Sequence, residues 1–199
     1  MTRIKNISHL TTDGNNVCPQ ANSPVRIYTG DVATSTTPVV LHTLLGSCVA
    51  VCLYDPILRA GGMNHILLVG TRQNRRGTRF GVHAMELLIN ELMKQGGDRR
   101  RFVAKAFGGA RVVPVLKSSP IGEDNVKFVR RFLDIEKIPL VAQRLGGSHA
   151  VHVYFRTDTG KAVLHSVDGS QLPKIIHAEN TYRHQHLADT DVSGEITLF

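Results

Sequence analysis

The sequence predicts an α+β fold built around a mixed or mostly antiparallel sheet. Segments of alternating or continuous apolar residues, which are typical of β-strands, outnumber the segments whose apolar residues recur with helical spacing. Several predicted strands are separated only by short runs of turn-forming residues, as strands are in β-hairpins. Frequent hairpins combined with a few helices are typical of α+β proteins.

The first part of the fold is predicted to consist of strands. Val25–Tyr28 and Val39–Leu45 are the first two, and the next two, Cys48–Tyr54 and Gly62–Val69, flank an Asp-Pro dipeptide. Asp and Pro are preferred at the first two positions of a type I turn. We therefore expect the latter two strands to pair as an antiparallel hairpin.

Two helices and further strands are predicted after this hairpin. Gly81, Met85, Leu88 and Leu92 fall on one stripe of the clearest helix, which a Gly-Gly pair ends. In chain order, the predicted elements are a basic loop over residues 70–77, a helix over Phe80–Gln95, a strand over Phe102–Ala106, a helix over Glu123–Glu136, a strand from Leu140, and a hairpin of Val151–Phe155 with Lys161–His165.

Length and composition predict one domain with polar extensions. The chain has 199 residues, and 42% of them are hydrophobic, which is enough for a substantial core. We expect a polar N-terminal extension over residues 1–24, a folded domain over 25–175, and a polar, His-rich C-terminal tail over 176–199.

The same composition predicts a cytoplasmic protein without direct membrane insertion. Three cysteines without regular spacing argue against a disulfide framework and fit a reducing compartment. The first residues lack the apolar stretch of a signal peptide. Residues 32–54 include no Asp, Glu, Lys or Arg, but their Pro, Gly, Ser and Thr residues fit buried strands better than a membrane-spanning helix.

The net charge of +8 predicts attraction to an acidic partner. We expect no nucleic-acid binding, because aromatic residues make up only 6% of the chain, Trp is absent, and no recognition motif accompanies the basic residues. An acidic protein partner and a merely solvated basic surface both remain open. The basic clusters are Arg72, Arg75, Arg76 and Arg79; Arg99, Arg100 and Arg101; and Lys127, Arg130 and Arg131.

The first predicted hairpin brings a thiol towards an imidazole, the minimal pair for thiolate catalysis. Cys48 follows a Gly-Ser turn, and a turn centred on Pro56–Ile57 would place it directly opposite His65, with Cβ atoms about 5 Å apart. A bulge at the Gly-Gly pair before His65 would shift the register by one residue and move the imidazole to the other face. A buried structural role is the alternative for Cys48, and it is the favoured one for Cys52.

The sequence predicts no metal or organic cofactor. His149 and His152 lie in a strand pattern that directs them to opposite faces, and the histidines of the tail lack further ligands at metal-site spacing. The chain has no phosphate-binding loop and no dinucleotide fingerprint. Its Gly108-Gly109 and Gly146-Gly147 pairs are predicted to be turns.

Six sequence blocks, in the same order, match a known family over residues 25–167. They are Thr43–Asp55, Gly61–Leu68, Ala84–Asn90, Lys105–Ala110, Ile121–Val126 and Ile138–Ala142. Together they closely resemble the chemoreceptor glutamine deamidases, the CheD family.

The resemblance implies a cytoplasmic protein-glutamine glutaminase that converts glutamine side chains of methyl-accepting chemotaxis receptors to glutamate, without a cofactor. Some family members also remove receptor methyl esters, and some bind a CheC-like phosphatase. The implied fold has packed sheets flanked by two main helices, similar to bacterial toxin deamidases. The alternative is a non-catalytic chemotaxis adaptor that binds receptors or a CheC-like phosphatase through the same scaffold.

The resemblance also implies roles for particular residues. Cys48 would be the nucleophile that forms a thioester, and His65 would be the general base. The third family residue is a Thr six positions before the nucleophile; that position holds His42 here and Thr43 follows it, so both are candidates. The residues expected to contact substrate, through an oxyanion-binding turn or as a basic rim for glutamate-rich receptor helices, are Ser47, Arg72, Arg75, Arg76 and Arg79.

Overall fold

Two β-sheets pack face to face, and two helices cover the outer face of the larger sheet. The computed structural model describes residues 3–6, 23–68, 75–112, 121–167, 173 and 176–182, with the backbone alone for 3–6 and 75–77. The strands are β1 (Arg3–Asn6), β2 (Val25–Arg26), β3 (Asp31–Ser35), β4 (Val40–Leu45), β5 (Val49–Asp55), β6 (Ala60–Asn64), β7 (Val103–Gly108), β8 (Leu140–Leu145), β9 (Val151–Arg156) and β10 (Ala162–Ser166). The helices are α1 (Arg75–Lys94) and α2 (Ile121–Ile135), with a 3-10 turn at Arg99–Arg101, and residues 176–182 are also helical.

Both sheets are mixed but mostly antiparallel. The larger sheet has the order β1-β3-β6-β5-β7-β8, and only its outer pairs, β1 with β3 and β7 with β8, are parallel. The smaller sheet has the order β10-β9-β4-β2, in which only β2 and β4 are parallel. The predicted α+β fold, with mostly antiparallel packed sheets flanked by two main helices, is confirmed.

β5 is buried on both of its faces, which explains its continuous apolar sequence. Every second residue from Val49 to Leu53 packs against the helices in one hydrophobic core. Cys48 and Cys52, on the opposite face, belong to the core between the two sheets. Since successive residues of a strand point to opposite faces, Cys48 is directed towards the smaller sheet.

α1 carries the apolar stripe that the sequence predicts, but it begins earlier than expected. Met85, Leu88 and Leu92 are fully buried against the larger sheet. The helix starts at Arg75, so the predicted loop is wrong for residues 75–77, while residues 70–74 lie outside the described part of the chain. The first turn of α1 has no large apolar residue. Hydrophobic periodicity therefore indicates the helix only over the later turns, which pack against the sheet.

The hairpin of β5 and β6 forms, but its predicted register is wrong by two positions. Val49 bridges Ile66 in continuation of the β5–β6 pairing, so Cys48 and His65 are diagonal neighbours rather than directly opposite. The bulge considered at Gly61 and its neighbour is absent, because both glycines pair regularly with β5. A shift by two positions leaves Cys48 and His65 on the same face.

The register differs from the prediction because the hairpin loop is longer than a simple type I turn. The Asp55 carboxylate accepts hydrogen bonds from Ile57 N at 2.9 Å and Leu58 N at 3.0 Å, and Arg59 adopts a positive φ of 57° before β6 begins. Arg101 holds the same carboxylate through Nε and Nη2, the latter at 2.7 Å. Burial alone would raise the pKa of Asp55, but these hydrogen bonds hold it well below its ordinary value.

Candidate active site

Backbone hydrogen bonds fix the loop that carries the predicted nucleophile. Cys48 is the residue before β5, where the chain crosses from β4 in the smaller sheet to the larger sheet. Its carbonyl oxygen accepts from Gly109 N at 2.7 Å, and Gly46 O accepts from Ala110 N at 2.8 Å. Gly108 has a φ of +103°, and a Cβ at this position would clash with Cys48 O. The sequence predicts this pair to be a turn, but Gly108 is the last residue of β7 and Gly109 follows it. From the end of this strand, the two glycines support the Cys48 loop.

Asn125, near the start of α2, sets the orientation of the Ser47–Cys48 peptide. Its Nδ2 donates to Ser47 O at 2.8 Å, while its Oδ1 accepts from Leu68 N at 2.9 Å. The C=O and N–H of a trans peptide point in opposite directions. Because Asn125 holds Ser47 O on one side, the Cys48 N–H faces the other side of the loop.

Thr43, not His42, contacts the predicted base. Thr43 Oγ1 lies 2.8 Å from His65 Nδ1 and donates to Ile27 O at 2.7 Å. A hydroxyl has one hydrogen to donate, so Thr43 accepts from His65 Nδ1–H, and the unprotonated nitrogen of the ring is Nε2. Thr29 Oγ1 lies 3.3 Å from this Nε2.

His42 faces the other side of the smaller sheet. Side chains alternate along β4, so Thr43 is buried while His42 is partly exposed. His42 Nε2 is 2.9 Å from His152 Nδ1, and its ring stacks on Tyr154 with centroids 4.4 Å apart. Of the two candidates for the third position, only Thr43 reaches His65.

Burial keeps the His65 ring neutral. Burial lowers its pKa to about 4, an effect that hydrogen bonding to Ile27 and the charge of Asp31 oppose only in part. The backbone of His65 is also fixed, because its N donates to Asp31 O at 3.1 Å and its O accepts from Gly30 N at 2.9 Å. At neutral pH the ring is therefore a positioned proton acceptor.

The pairing register makes Cys48 and His65 diagonal neighbours on one face across the extension of the hairpin. Diagonal neighbours in an antiparallel pair generally have Cβ atoms about 7 Å apart, a separation that a thiol and an imidazole can bridge. Both side chains are buried, with 1% of Cys48 and 5% of His65 exposed.

Glu179, in the helical segment of residues 176–182, contacts the Cys48 loop. Its Oε2 accepts from Ser47 Oγ at 2.5 Å. Its Oε1 accepts from Ser47 N at 2.9 Å, Cys48 N at 3.4 Å and Cys48 Sγ at 3.4 Å. One oxygen atom therefore adjoins two backbone N–H groups and the sulfur at the same time.

The predicted basic rim is only partly described. Arg72 lies outside the described residues, and Arg75 and Arg76 lie in the first turn of α1, where the backbone alone is described. Arg79 is exposed on α1. Among the described residues, no group of three or more His, Cys, Asp or Glu side chains is arranged to hold a metal ion.

The sequence is similar to one family across most of its length. The family model described as "CheD chemotactic sensory transduction" matches residues 68–166. A protein of Stenotrophomonas maltophilia (strain K279a) is 42% identical over 160 residues, which are 80% of each chain. A protein of Agrobacterium fabrum is 44% identical over 158 residues, 78% of this chain and 86% of its own. Both are named "Probable chemoreceptor glutamine deamidase CheD".

The chain belongs to the CheD family. A solved structure, the Bacillus licheniformis hypothetical protein YfiH, has a TM-score of 0.38 and 16% identity, and covers 59% of this chain and 49% of its own. Within the described ranges of this CheD-family chain, no helix is both long and apolar enough to cross a membrane.

The sequence did not assign three contributors to the site of this CheD-family protein. Asn125 is a polar residue in one of the blocks that resemble the family, and this position is the one sequence signal that marks it. The contact of Gly108 with the Cys48 loop requires knowledge of the β5–β7 pairing. Glu179 lies in the segment predicted as a polar tail, and no local pattern marks it as part of the site.

Proposed function

We propose that this protein deamidates glutamine side chains of methyl-accepting chemotaxis receptors through a thioester on Cys48. Its membership of the CheD family supports the receptor substrate, since its relatives are named chemoreceptor glutamine deamidases. The observation that carries the mechanism is the position of Glu179 Oε1, which adjoins Ser47 N, Cys48 N and Cys48 Sγ. A carboxamide oxygen close to that point would lie beside the nucleophile and two hydrogen-bond donors.

Formation of the thioester would begin with a proton transfer. His65 takes the proton of the Cys48 thiol, and the thiolate attacks the carboxamide carbon of the glutamine. Ser47 N–H and Cys48 N–H hold the resulting oxyanion; removal of one such donor elsewhere costs about 3–4 kcal/mol of transition-state stabilisation. His65 then protonates the departing nitrogen, which leaves as ammonia.

Water completes the reaction. His65 takes a proton from a water molecule, the hydroxide attacks the thioester carbon, and Cys48 leaves as a thiol while glutamate is released. Thr43 holds Nδ1–H, so the proton transfers use Nε2. No step requires a metal or an organic cofactor. A glutamate methyl ester would form the same thioester with methanol as the leaving group.

The positive charge of the chain supports an acidic substrate. Glutamate-rich receptor helices would be attracted by the net charge of +8, and Arg72, Arg75, Arg76 and the exposed Arg79 are the basic residues proposed to receive them. We place the reaction in the cytoplasm, with the helical region of the receptor as substrate and a CheC-like phosphatase as a further partner.

The test compares three proteins on receptor cytoplasmic fragments. Peptide mass spectrometry follows conversion of Gln to Glu by the unaltered protein, by Cys48→Ala and by Cys52→Ala. Cys52 is the matched control, because it is equally buried on the same face of β5. We expect conversion by the unaltered protein and Cys52→Ala but not by Cys48→Ala. Equal conversion by all three would reject the thiolate mechanism, and receptor binding without conversion would favour the adaptor alternative. Methyl-esterified fragments in a parallel reaction test for methylesterase activity.

A further inference from the structure

The candidate active site holds a glutamate side chain of the chain itself. Glu179 Oε2 accepts from Ser47 Oγ, and Oε1 accepts from Ser47 N, Cys48 N and Cys48 Sγ. A side-chain carboxylate is also what deamidation of glutamine leaves behind. Glu179 therefore carries the functional group of the proposed product. This group also lies where that of the product would lie, beside the predicted nucleophile.

We propose that the helical segment of residues 176–182 is an intramolecular ligand of the active site, bound as a product helix would bind, and that it closes the site until it leaves. The inference rests on the proposed function and deepens it. The surface beneath this segment would bind a substrate helix, and the space that Glu179 fills would hold the side chain of the glutamine that reacts.

A second residue of the segment anchors it on the same side. Tyr182 lies three positions after Glu179, so the two side chains share one face of the helix. The Tyr182 ring packs over Gly30, where an added Cβ would lie 3.0 Å from it. Burial raises the pKa of Tyr182 to about 12, and the nearby Cys48 and Asp31 add to this effect. Two side chains one turn apart thus cover the predicted nucleophile and the loop before β3.

The rest of the segment faces away from the site. His177, Ala178, Asn180 and Thr181 are exposed, whereas Glu179 is 7% exposed. This difference between a buried face and an exposed face is typical of a helix that packs on the site through one side.

The contact between Glu179 and Cys48 also involves the thiol proton, which catalysis must remove. Cys48 Sγ donates to Glu179 Oε1, so the thiol proton is directed at the segment rather than at His65. With 1% of Cys48 and 5% of His65 exposed, a receptor glutamine has no open approach to either side chain while the segment is bound. Departure of the segment would remove the Glu179 carboxylate from the sulfur and from both N–H groups, and it would uncover the surface on which Tyr182 packs.

The first experiment turns the internal product into an internal substrate. In Glu179→Gln, the Cys48 thiolate would attack the carboxamide at position 179, ammonia would leave, and water would hydrolyse the resulting thioester to restore glutamate. We expect peptide mass spectrometry of the purified variant to find glutamate at position 179, formed at a rate independent of protein concentration. The double variant Glu179→Gln, Cys48→Ala should retain glutamine. If Glu179→Gln converts receptor fragments but retains glutamine at position 179, the proposal that this side chain is bound as the product would be is overturned.

The second experiment measures closure without relying on deamidation. Iodoacetamide labelling of Cys48, resolved by peptide mass spectrometry, is compared for the unaltered protein, Glu179→Ala and the matched control Asn180→Ala, whose side chain is exposed on the same segment. Loss of the charged hydrogen bonds should speed Cys48 labelling by roughly tenfold or more in Glu179→Ala, with no change in Asn180→Ala.

The two readouts separate the inference from the proposed function. An unchanged Cys48 labelling rate in Glu179→Ala would overturn closure, even in a protein that deamidates receptors. Faster labelling without any conversion of receptor glutamine by Glu179→Ala would reject the proposed function and leave closure standing. Faster labelling together with faster receptor conversion would support both.

Discussion

Thr43 determines which nitrogen of His65 can act as a base. Its hydroxyl hydrogen goes to Ile27 O, which leaves only its lone pairs for His65 Nδ1–H. Nε2 then keeps the lone pair that removal of a thiol proton requires. Thr43 is therefore a positioning residue, which acts through His65 rather than on the substrate.

Replacement of Thr43 by the nearly isosteric Val should lower the turnover number for receptor deamidation by roughly 10- to 100-fold. The change removes the hydroxyl that accepts from His65 Nδ1–H and donates to Ile27 O in a buried site, and it weakens the preference for the reactive tautomer. Steady-state kinetics on receptor fragments would measure the effect, which should fall on kcat while KM stays close to that of the unaltered protein.

Thr43→Ser and His42→Gln are the matched variants. Ser retains the hydroxyl, so Thr43→Ser should keep most of the activity. If Thr43 acted only through packing of its methyl group, Thr43→Ser, which lacks that group, would lose activity instead. His42 faces the opposite side of β4, next to His152, so His42→Gln should keep nearly full activity. Equal losses in Thr43→Val and His42→Gln would contradict the assignment of the third position to Thr43.

At the scale of secondary-structure elements, the end of β7 supports the loop before β5. Gly108 ends β7 opposite Val49, and its neighbour Gly109 donates to Cys48 O. The positive φ of Gly108 and the close approach of Cys48 O both exclude a side chain there. The position of the predicted nucleophile therefore depends on how closely two adjacent strands approach each other.

Gly108→Ala should abolish most of the receptor deamidation and lower the melting temperature. The added Cβ must push Cys48 O away, which displaces Cys48 and with it the backbone N–H of this residue that is proposed to hold the oxyanion. Gly147→Ala is the matched control, because Gly147 has a φ of +83° but no atom within 4 Å of its added Cβ. Gly147→Ala should lose about 1 kcal/mol of stability through backbone strain alone and keep its activity. A similar loss of activity in both variants would show that strain, rather than the clash with the Cys48 loop, is responsible.

At the scale of the whole molecule, every layer contributes to one end of β5. The helical layer supplies Asn125, the larger sheet supplies Gly108 and His65, and the smaller sheet supplies Thr43. The C-terminal helical segment supplies the carboxylate that lies against Ser47 and Cys48. The site is thus an outcome of layer packing rather than of one contiguous motif.

This arrangement explains which parts of the fold and of the site could be predicted from the sequence. Local patterns predict most of the strands, the stripe of α1 and the common face of Cys48 and His65, because these follow from residues close in sequence. They do not predict β1 or β3. The longer hairpin loop departs from the simple turn that its sequence favours, and its Asp55 is also bound by Arg101 from 46 positions away, a contact that no turn rule contains. The contact of Glu179 with Cys48 spans 131 positions, and it is equally invisible to local patterns. The extents of the predicted domain and its two extensions stay predictions.

The whole fold should lose stability in acid because it buries a neutral His65. The pKa of this ring falls from an ordinary value of 6.5 to about 4 through burial, so the unfolded chain takes up a proton first as the pH falls. The stability contribution is therefore complete above about pH 6.5 and is lost as the pH falls towards 4. For a fully buried ring, the free energy of unfolding should drop by about 3 kcal/mol between pH 7 and pH 4.

Urea unfolding at pH 7 and pH 4 would measure this loss in the unaltered protein and in His65→Gln, which has no imidazole to protonate at this position. We expect the acid-induced loss to be smaller in His65→Gln by about 3 kcal/mol. Burial and the charge of His152 also lower the pKa of His42 to about 4, but His42 is present in both proteins, so the difference between them reports on His65. His149→Gln, which changes an exposed histidine, should lose as much stability in acid as the unaltered protein. An equal acid-induced loss in His65→Gln would mean that the ring does not fold as a buried neutral base.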